Sequence, residues 1–276
     1  MLYSQTMDLS LDRRLAWARI AKQWGLIGQL VAREVRSRYV GSAMGLFWSV
    51  IHPVITLAVY TYVFSYILKV RFNEGGGTAN FAIFLFCGML PWLSFQETVQ
   101  RCTTSITENA SLVKNLRFPA KSIQFSIAFA SLFTQFIGLG ILTAAIVVLW
   151  GRFPYLLPLI VPMAFFAMLF SLGLGFVFCT FHVFFRDTAQ LVSVLLMLWL
   201  YLTPIFYPSH IIPPQLQFVL YVNPLAYAAN IYRHILLNNG VPELHGFAIF
   251  VFLSTLAFVL GYRVYTRFYG RFIDEL

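Results

Sequence analysis

LPLIVPMAFFAMLFSLGLGFVFCTFHVF, residues 157–184, runs for twenty-eight positions without one Asp, Glu, Lys or Arg. A helix of that length exceeds the roughly 30 Å of hydrocarbon in a bilayer, which about 20 residues suffice to cross. Five more apolar runs of spanning character lie near Ala43–Leu68, Phe81–Val99, Ile123–Trp150, Ala189–Phe206 and Phe247–Tyr265. The chain is 59% hydrophobic and 11% charged, with a mean hydropathy of +0.76, outside the range of soluble globular domains. Only helices and closed barrels satisfy their backbone in lipid, and continuous runs of this length exclude a barrel. The expected fold is an all-α integral membrane protein with about six transmembrane helices.

Threading these runs through a membrane in order sorts the cations. Arg13, Arg14, Arg19, Lys22, Arg33, Arg36 and Arg38 precede the first run. Arg101, Lys114, Arg117 and Lys121 lie between the second and third, Arg186 between the fourth and fifth, and Arg263, Arg267 and Arg271 after the sixth. All of these share one side, leaving Lys69, Arg71, Arg152 and Arg233 for the other. Positive charge resists translocation, so the rich side is expected to be cytoplasmic, with both termini inside. The net charge of +9 then needs no nucleic acid, because orientation and contact with anionic membrane lipid account for it. The first run starts too late and continues too long for a cleavable secretion signal, so none is expected. Cys87, Cys102 and Cys179 are scattered without metal-ligand spacing and read as small apolar residues.

Residues 1–40 form a cytoplasmic segment ahead of a transmembrane unit, 41–276. From Leu9 to Ile27 a helical projection gathers Leu9, Ala16, Trp17, Ile20, Trp24 and Ile27 on one face, with Arg14, Arg19 and Lys22 elsewhere and Arg13 intruding on the apolar side. Such a helix either lies in the membrane interface or packs on the protein's own spans. Arg33, Arg36 and Arg38 follow. They either anchor the positive side or pair bidentately with phosphate oxygens at a lipid-pyrophosphate entrance. Gly41 and Gly45, four apart, allow close approach of another helix.

Two short loops on the same side are candidate partner contacts. Within residues 107–119, Asn109 or Ser111 is placed to cap a short helix that Pro119 ends. Leu112, Val113 and Leu116 share one face of that helix, flanked by Glu108, Lys114 and Arg117. Their destination is a groove on a partner or the protein's own N-terminal helices. Arg186 and Asp187 occupy a tighter loop, where Asp187 can cap the next span. On the opposite side, residues 207–245 hold Pro208, Pro213, Pro214, Pro224 and Pro242 yet stay apolar in between. This predicts a re-entrant or interfacial helical hairpin broken at Asn223–Pro224, tolerated only where protein or a cavity covers it. Asn223, Pro224 and Tyr227 are its candidate gate residues.

No catalytic constellation emerges. The chain has no G-x-x-x-x-G-K-[ST] phosphate loop and no H-E-x-x-H, and His52 and His182 read as isolated structural residues. Glu97 and Arg101, four apart, are expected to pair. Phe, Trp and Tyr make up 18% of the chain. Tyr60, Tyr62, Trp92, Trp199, Tyr201 and Tyr207 either anchor the interfaces or line a path along which a sugar polymer slides.

In order along the chain come RSRYVGSAMGLFW at 36–48, Glu108-Asn109-Ala110 through Arg117-Phe118-Pro119, Phe185-Arg186-Asp187, TPIFY at 203–207 and YVNPL at 221–225. This ordered set resembles the ABC-2-type permeases that export bacterial surface polysaccharides such as O-antigen, capsule and wall teichoic acid, over nearly the whole chain. The resemblance implies a homodimer paired with two copies of a separate nucleotide-binding subunit, which would bind ATP and Mg; this chain would bind no cofactor. It implies a substrate on a lipid pyrophosphate. It also implies that residues 107–119 form the ATPase-coupling helix, that the N-terminal segment is an interface helix, and that the segment after Tyr207 is an external gate in the bacterial cytoplasmic membrane. The same architecture also serves ABC-2 exporters of drugs or small lipids. A membrane glycosyl- or acyltransferase would show clustered acidic or His residues, whereas the external side offers as carboxylates only the distant Glu74 and Glu243.

Overall fold

The computed structural model describes residues 24–38, 47–67, 78–114, 118–207, 212–213, 215 and 217–276. Helix α1 covers residues 24–37, and the rest of the expected N-terminal amphipathic helix lies outside the described residues, as do Gly41 and Gly45. Then follow α2 (Trp48–Thr61), continued as a π-helical turn at Tyr62–Ile67, α3 (Thr78–Glu108), α4 (Ala110–Val113), α5 (Lys121–Trp150) and α6 (Ile160–Phe184). The chain closes with α7 (Thr188–Leu202), α8 (Phe218–Val222), α9 (Pro224–Asn238), α10 (Leu244–Phe268) and α11 (Phe272–Glu275). No strand occurs among the described residues.

Over its described residues, each of the six apolar runs is largely helical. Four helical stretches are long and apolar enough to cross a membrane unaided: Phe81–Glu108, Lys121–Trp150, Leu157–Phe184 and Leu244–Glu275. The other two are shorter. α7 has 15 residues and stops at Leu202, because Thr203 turns extended (ψ 133°) ahead of Pro204. That gives about 22 Å of helix at 1.5 Å per residue. The first run divides between α2 and its π turn, with Pro53 inside α2.

Backbone groups at the ends are met locally. Asn223 accepts a bond from the Leu225 N–H and Pro224 takes the first position of α9, where no N–H is needed. Gly151 ends α5 with φ +64°. Inside the spans, the hydroxyls of Thr98, Thr103, Thr143, Ser171 and Thr180 donate to carbonyls one turn back, so these five are not left dry in lipid.

α3 and α6 lie at the centre, with α5, α10 and α9 around them. The buried residues fall into two clusters. One joins Phe86, Trp92, Phe95, Leu142, Tyr232 and Phe250; the other, toward the basic end, joins Cys102, Ile106, Phe176, Tyr265 and Phe272. The closest helix approach is between Gly173 of α6 and Gly261 of α10, where a Cβ on either would run into the other helix's backbone. α2 and α7, in contrast, turn apolar side chains outward, among them Val54, Val59, Leu191, Leu195 and Leu198.

Candidate functional site

At the basic end, α1 is strapped to the bundle by ions. Arg38 Nη1 lies 2.7 Å from Glu97 Oε1 on α3, and the same guanidinium donates to Thr134 Oγ1 (3.0 Å) and Ser131 Oγ (3.2 Å) on α5. One helical turn earlier, Glu34 Oε1 receives Arg101 Nη2 at 2.6 Å. The expected Glu97–Arg101 pair is therefore corrected: both residues reach across to α1, whose charges come closer than a same-helix neighbour does. Arg38 leaves the expected lipid entrance for the same reason, its side chain being only 7% exposed and spent on α3 and α5. Arg33 and Arg36 remain exposed, and Arg33 Nη2 donates weakly to Asn109 Oδ1 (3.4 Å).

Asn109 thus links α1 to the loop at the end of α3. Its side chain donates to Ser105 O (2.9 Å) and makes no cap bond to α4, contrary to expectation. α4 itself is a single turn. Glu108, Ser111 and Lys114 face outward and Leu112 is half-buried. Val113 turns inward at 1% exposure, packed with the second core cluster, so the expectation that it faces a partner is corrected: its side chain stabilises the protein's own core. Leu116 and Arg117 lie outside the described residues. In the second loop Arg186 and Asp187 are both exposed. Asp187 occupies the cap position of α7 without a side-chain cap bond; Thr188 Oγ1 donates to Phe185 O (2.6 Å) instead. His182, just inside this loop, is buried, with no partner for Nδ1 among the described residues.

At the opposite end the hairpin is broken where the sequence predicts it, with α8 and α9 meeting at an extended Asn223 (ψ 103°). Asn223 is a buried hub. Its Oδ1 accepts from Trp199 Nε1 (3.1 Å) and its Nδ2 donates to Thr203 Oγ1 (2.9 Å), tying the hairpin to the end of α7. Pro224 is buried and Tyr227 half-buried, its hydroxyl donating to Tyr221 O (3.3 Å).

Arg233, counted in the sequence only as a loop charge, is 7% exposed within α9. Its Nη1 and Nη2 donate to the carbonyls of Pro204 (2.7 Å) and Ile205 (2.8 Å), and its carbon Cζ stands 3.7 Å from the Phe84 ring centre. Gly88 makes room for it, since a Cβ there would stand 2.9 Å from Nη2. An ionisable residue inside the apolar stretch 225–237 was the signal that could have found it. A second polar contact missed in the sequence links α5 to α9: Gln135 Nε2 donates to Tyr232 OH at 2.7 Å, both residues buried.

The aromatic path candidates separate. Trp92 is 1% exposed, donates to Gln96 (2.9 Å) and packs on Phe95, so it belongs to the core and lines no surface path. Trp199 is half-buried with its N–H committed to Asn223, at the wall of an apolar groove of about 430 Å³ shared with Phe95, Val219 and Val222. Tyr207 is half-buried and donates to Tyr201 O (2.6 Å), while Tyr201 and Tyr62 are exposed. The side chain of Tyr60 lies outside the described residues.

Residues 25–237 match the family described as ABC-2 type transporter, and the chain belongs to that family. It is similar to the O-antigen export system permease protein RfbA of Klebsiella pneumoniae, 26% identical over 260 residues that cover 91% of this chain and 95% of the relative. The protein of the same name from Myxococcus xanthus is 28% identical over 79% of this chain and 83% of its own length. The polysialic acid transport protein KpsM of Escherichia coli is 27% identical over 85% of this chain and 91% of its own length.

Proposed function

We propose that the chain is the permease subunit of an ATP-driven exporter of lipid-linked surface polysaccharide, acting in the bacterial cytoplasmic membrane with both termini inside. The observation that carries this reading is that two O-antigen export permeases and a polysialic acid transport protein align with 79–91% of this chain and 83–95% of their own length. The permease works as a homodimer with two separate ATPase subunits, which hold the ATP and Mg. The absence of a phosphate-loop motif from the sequence supports that division of labour.

The ATPase seats on Glu108, Leu112, Lys114, Arg186 and Asp187, which lie in the two short loops at the basic end. Closure of the ATPase pair on ATP pushes α4. Arg33 and Arg36, exposed on α1, attract the pyrophosphate of the lipid carrier at the cytoplasmic entrance. Tyr62 and Tyr201 offer exposed rings along which a glycan slides without tight capture. Asn223, Pro224 and Tyr227 close the far end, and the membrane lipids seal the outer apolar faces.

The test is co-purification of the chain with its ATPase subunit, followed by ATP hydrolysis in nanodiscs with and without lipid-linked polysaccharide. Stable association and stimulation by the glycan are expected. Failure to hold any ATPase subunit would sink the docking surface, and stimulation by small lipids in place of glycan would replace the substrate class.

A further inference from the structure

α9 buries one face completely, with Ala228, Ala229, Tyr232, Ile235 and Leu236 at 2% exposure or less. Its other face carries Tyr227, Asn230, His234 and Asn238, spaced three, four and four apart and therefore in one stripe. That stripe does not simply face solvent. Together with Glu243 and Gly246 at the start of α10 it walls a cavity of about 390 Å³. This is within the roughly 300–1,000 Å³ of small-molecule sites. Among the described residues, the side chains of Asn230, His234, Asn238 and Glu243 make no hydrogen bond or ion pair within the protein, so four exposed polar groups line one space and are open to a ligand.

The chemistry of that lining selects its ligand. Two carboxamides each offer donors and acceptors, the carboxylate only accepts, and an imidazole adds one more polar edge. The Tyr227 hydroxyl is tied back to Tyr221, which leaves its ring as an apolar wall. Arg233 also contributes to the wall, but its guanidinium is committed to the Pro204 and Ile205 carbonyls. A phosphate would therefore meet Glu243 with no free guanidinium beside it. A pyranose matches on both counts, its hydroxyls alternating donor and acceptor and its C–H face lying flat on an aromatic ring.

We infer that this cavity between α9 and α10 binds a neutral sugar residue of the exported chain at the far end of the bundle. The inference rests on the polysaccharide reading above. The site holds one or two sugar units as the polymer emerges, slowing its return while the next stroke begins.

The experiment uses the complex of the full chain with its ATPase subunits in nanodiscs. Saturation-transfer difference NMR is recorded with galactose, mannose, rhamnose and N-acetylglucosamine, and with oligosaccharide released by mild acid from the lipid-linked polymer. Inorganic phosphate, followed by ³¹P line broadening, is the anion comparison. Transfer from at least one sugar is expected, falling at least fivefold in the Asn230→Ala/Asn238→Ala double variant and in Glu243→Gln. These positions are exposed, and Glu243→Gln lies outside α9, so a melt indistinguishable from wild type is expected for at least that variant. No transfer in the wild type, transfer that the variants leave unchanged, or variant-sensitive phosphate broadening without sugar transfer would each overturn the assignment. A wild-type complex that is stimulated by lipid-linked glycan yet shows no transfer loses the cavity alone; one that fails both loses the exporter reading as well.

Discussion

Arg233 carries a full charge into the bundle and meets it with backbone carbonyls and a ring face in place of a carboxylate. Hydrogen bonds to a charged group are worth about 1.5–3 kcal/mol each, and the Pro204 and Ile205 carbonyls, which leave the helical ladder after α7, would otherwise be dry. Arg233→Met should therefore lower the thermal midpoint of the purified complex by several degrees, and Arg233→Lys should recover only part of it because an ammonium cannot fork to two carbonyls. Equal midpoints for all three proteins would show that those carbonyls find other donors. Single residues were the least legible part of the sequence. Asn223 was readable because Asn before Pro in an apolar run announces both a break and a cap. Arg233 was not, since its partners lie 28 and 29 residues away and are carbonyls, which every residue has.

Helices were legible wherever apolar length alone decides them, and the broken hairpin followed from Pro224 interrupting a hydrophobic stretch. What failed was pairing between elements. Glu97 and Arg101 satisfy the local four-residue rule, yet α1 supplies nearer partners for both, and Val113 obeys a helical face that the core claims. These ion pairs make a prediction of their own. Arg38→Glu or Glu97→Arg alone places like charges side by side in a half-buried site, whereas the double swap restores opposite ones. A double-mutant cycle on thermal or denaturant unfolding should give a coupling of about 1–3 kcal/mol. The Glu34–Arg101 pair, with Arg101 37% exposed, should give at most about 1 kcal/mol. A coupling near zero at Arg38–Glu97 would mean that Ser131 and Thr134 hold the guanidinium unaided. Between α6 and α10 the contact is steric: Gly261→Leu should force the helices apart at a cost of about 1–3 kcal/mol or more, read as lost folded yield in detergent. Unchanged yield would contradict the close approach.

On the scale of the whole molecule, a packed frame of α3, α5, α6, α9 and α10 contrasts with α2 and α7, which expose apolar flanks. Those flanks leave apolar surface that lipid or another protein must cover. Leu112→Asp combined with Lys114→Glu leaves Val113 in the core, so it should abolish glycan-stimulated ATP hydrolysis while membrane insertion and the melt stay close to wild type. Transport that survives both changes would remove α4 from the coupling surface.

α3 is a single rod of 31 residues, about 46 Å long. Near one end it grips Arg233 through Phe84 and Gly88; near the other it meets Glu34 through Arg101 and runs into Asn109 and α4. A rod has unit gain. If the motor displaces α4 by a few ångströms along the axis, the latch at the far end travels the same few ångströms and no more, less whatever bending Pro91 absorbs. On the proposed coupling, whatever the far end of α3 can do in one cycle is then bounded by the displacement that reaches α4.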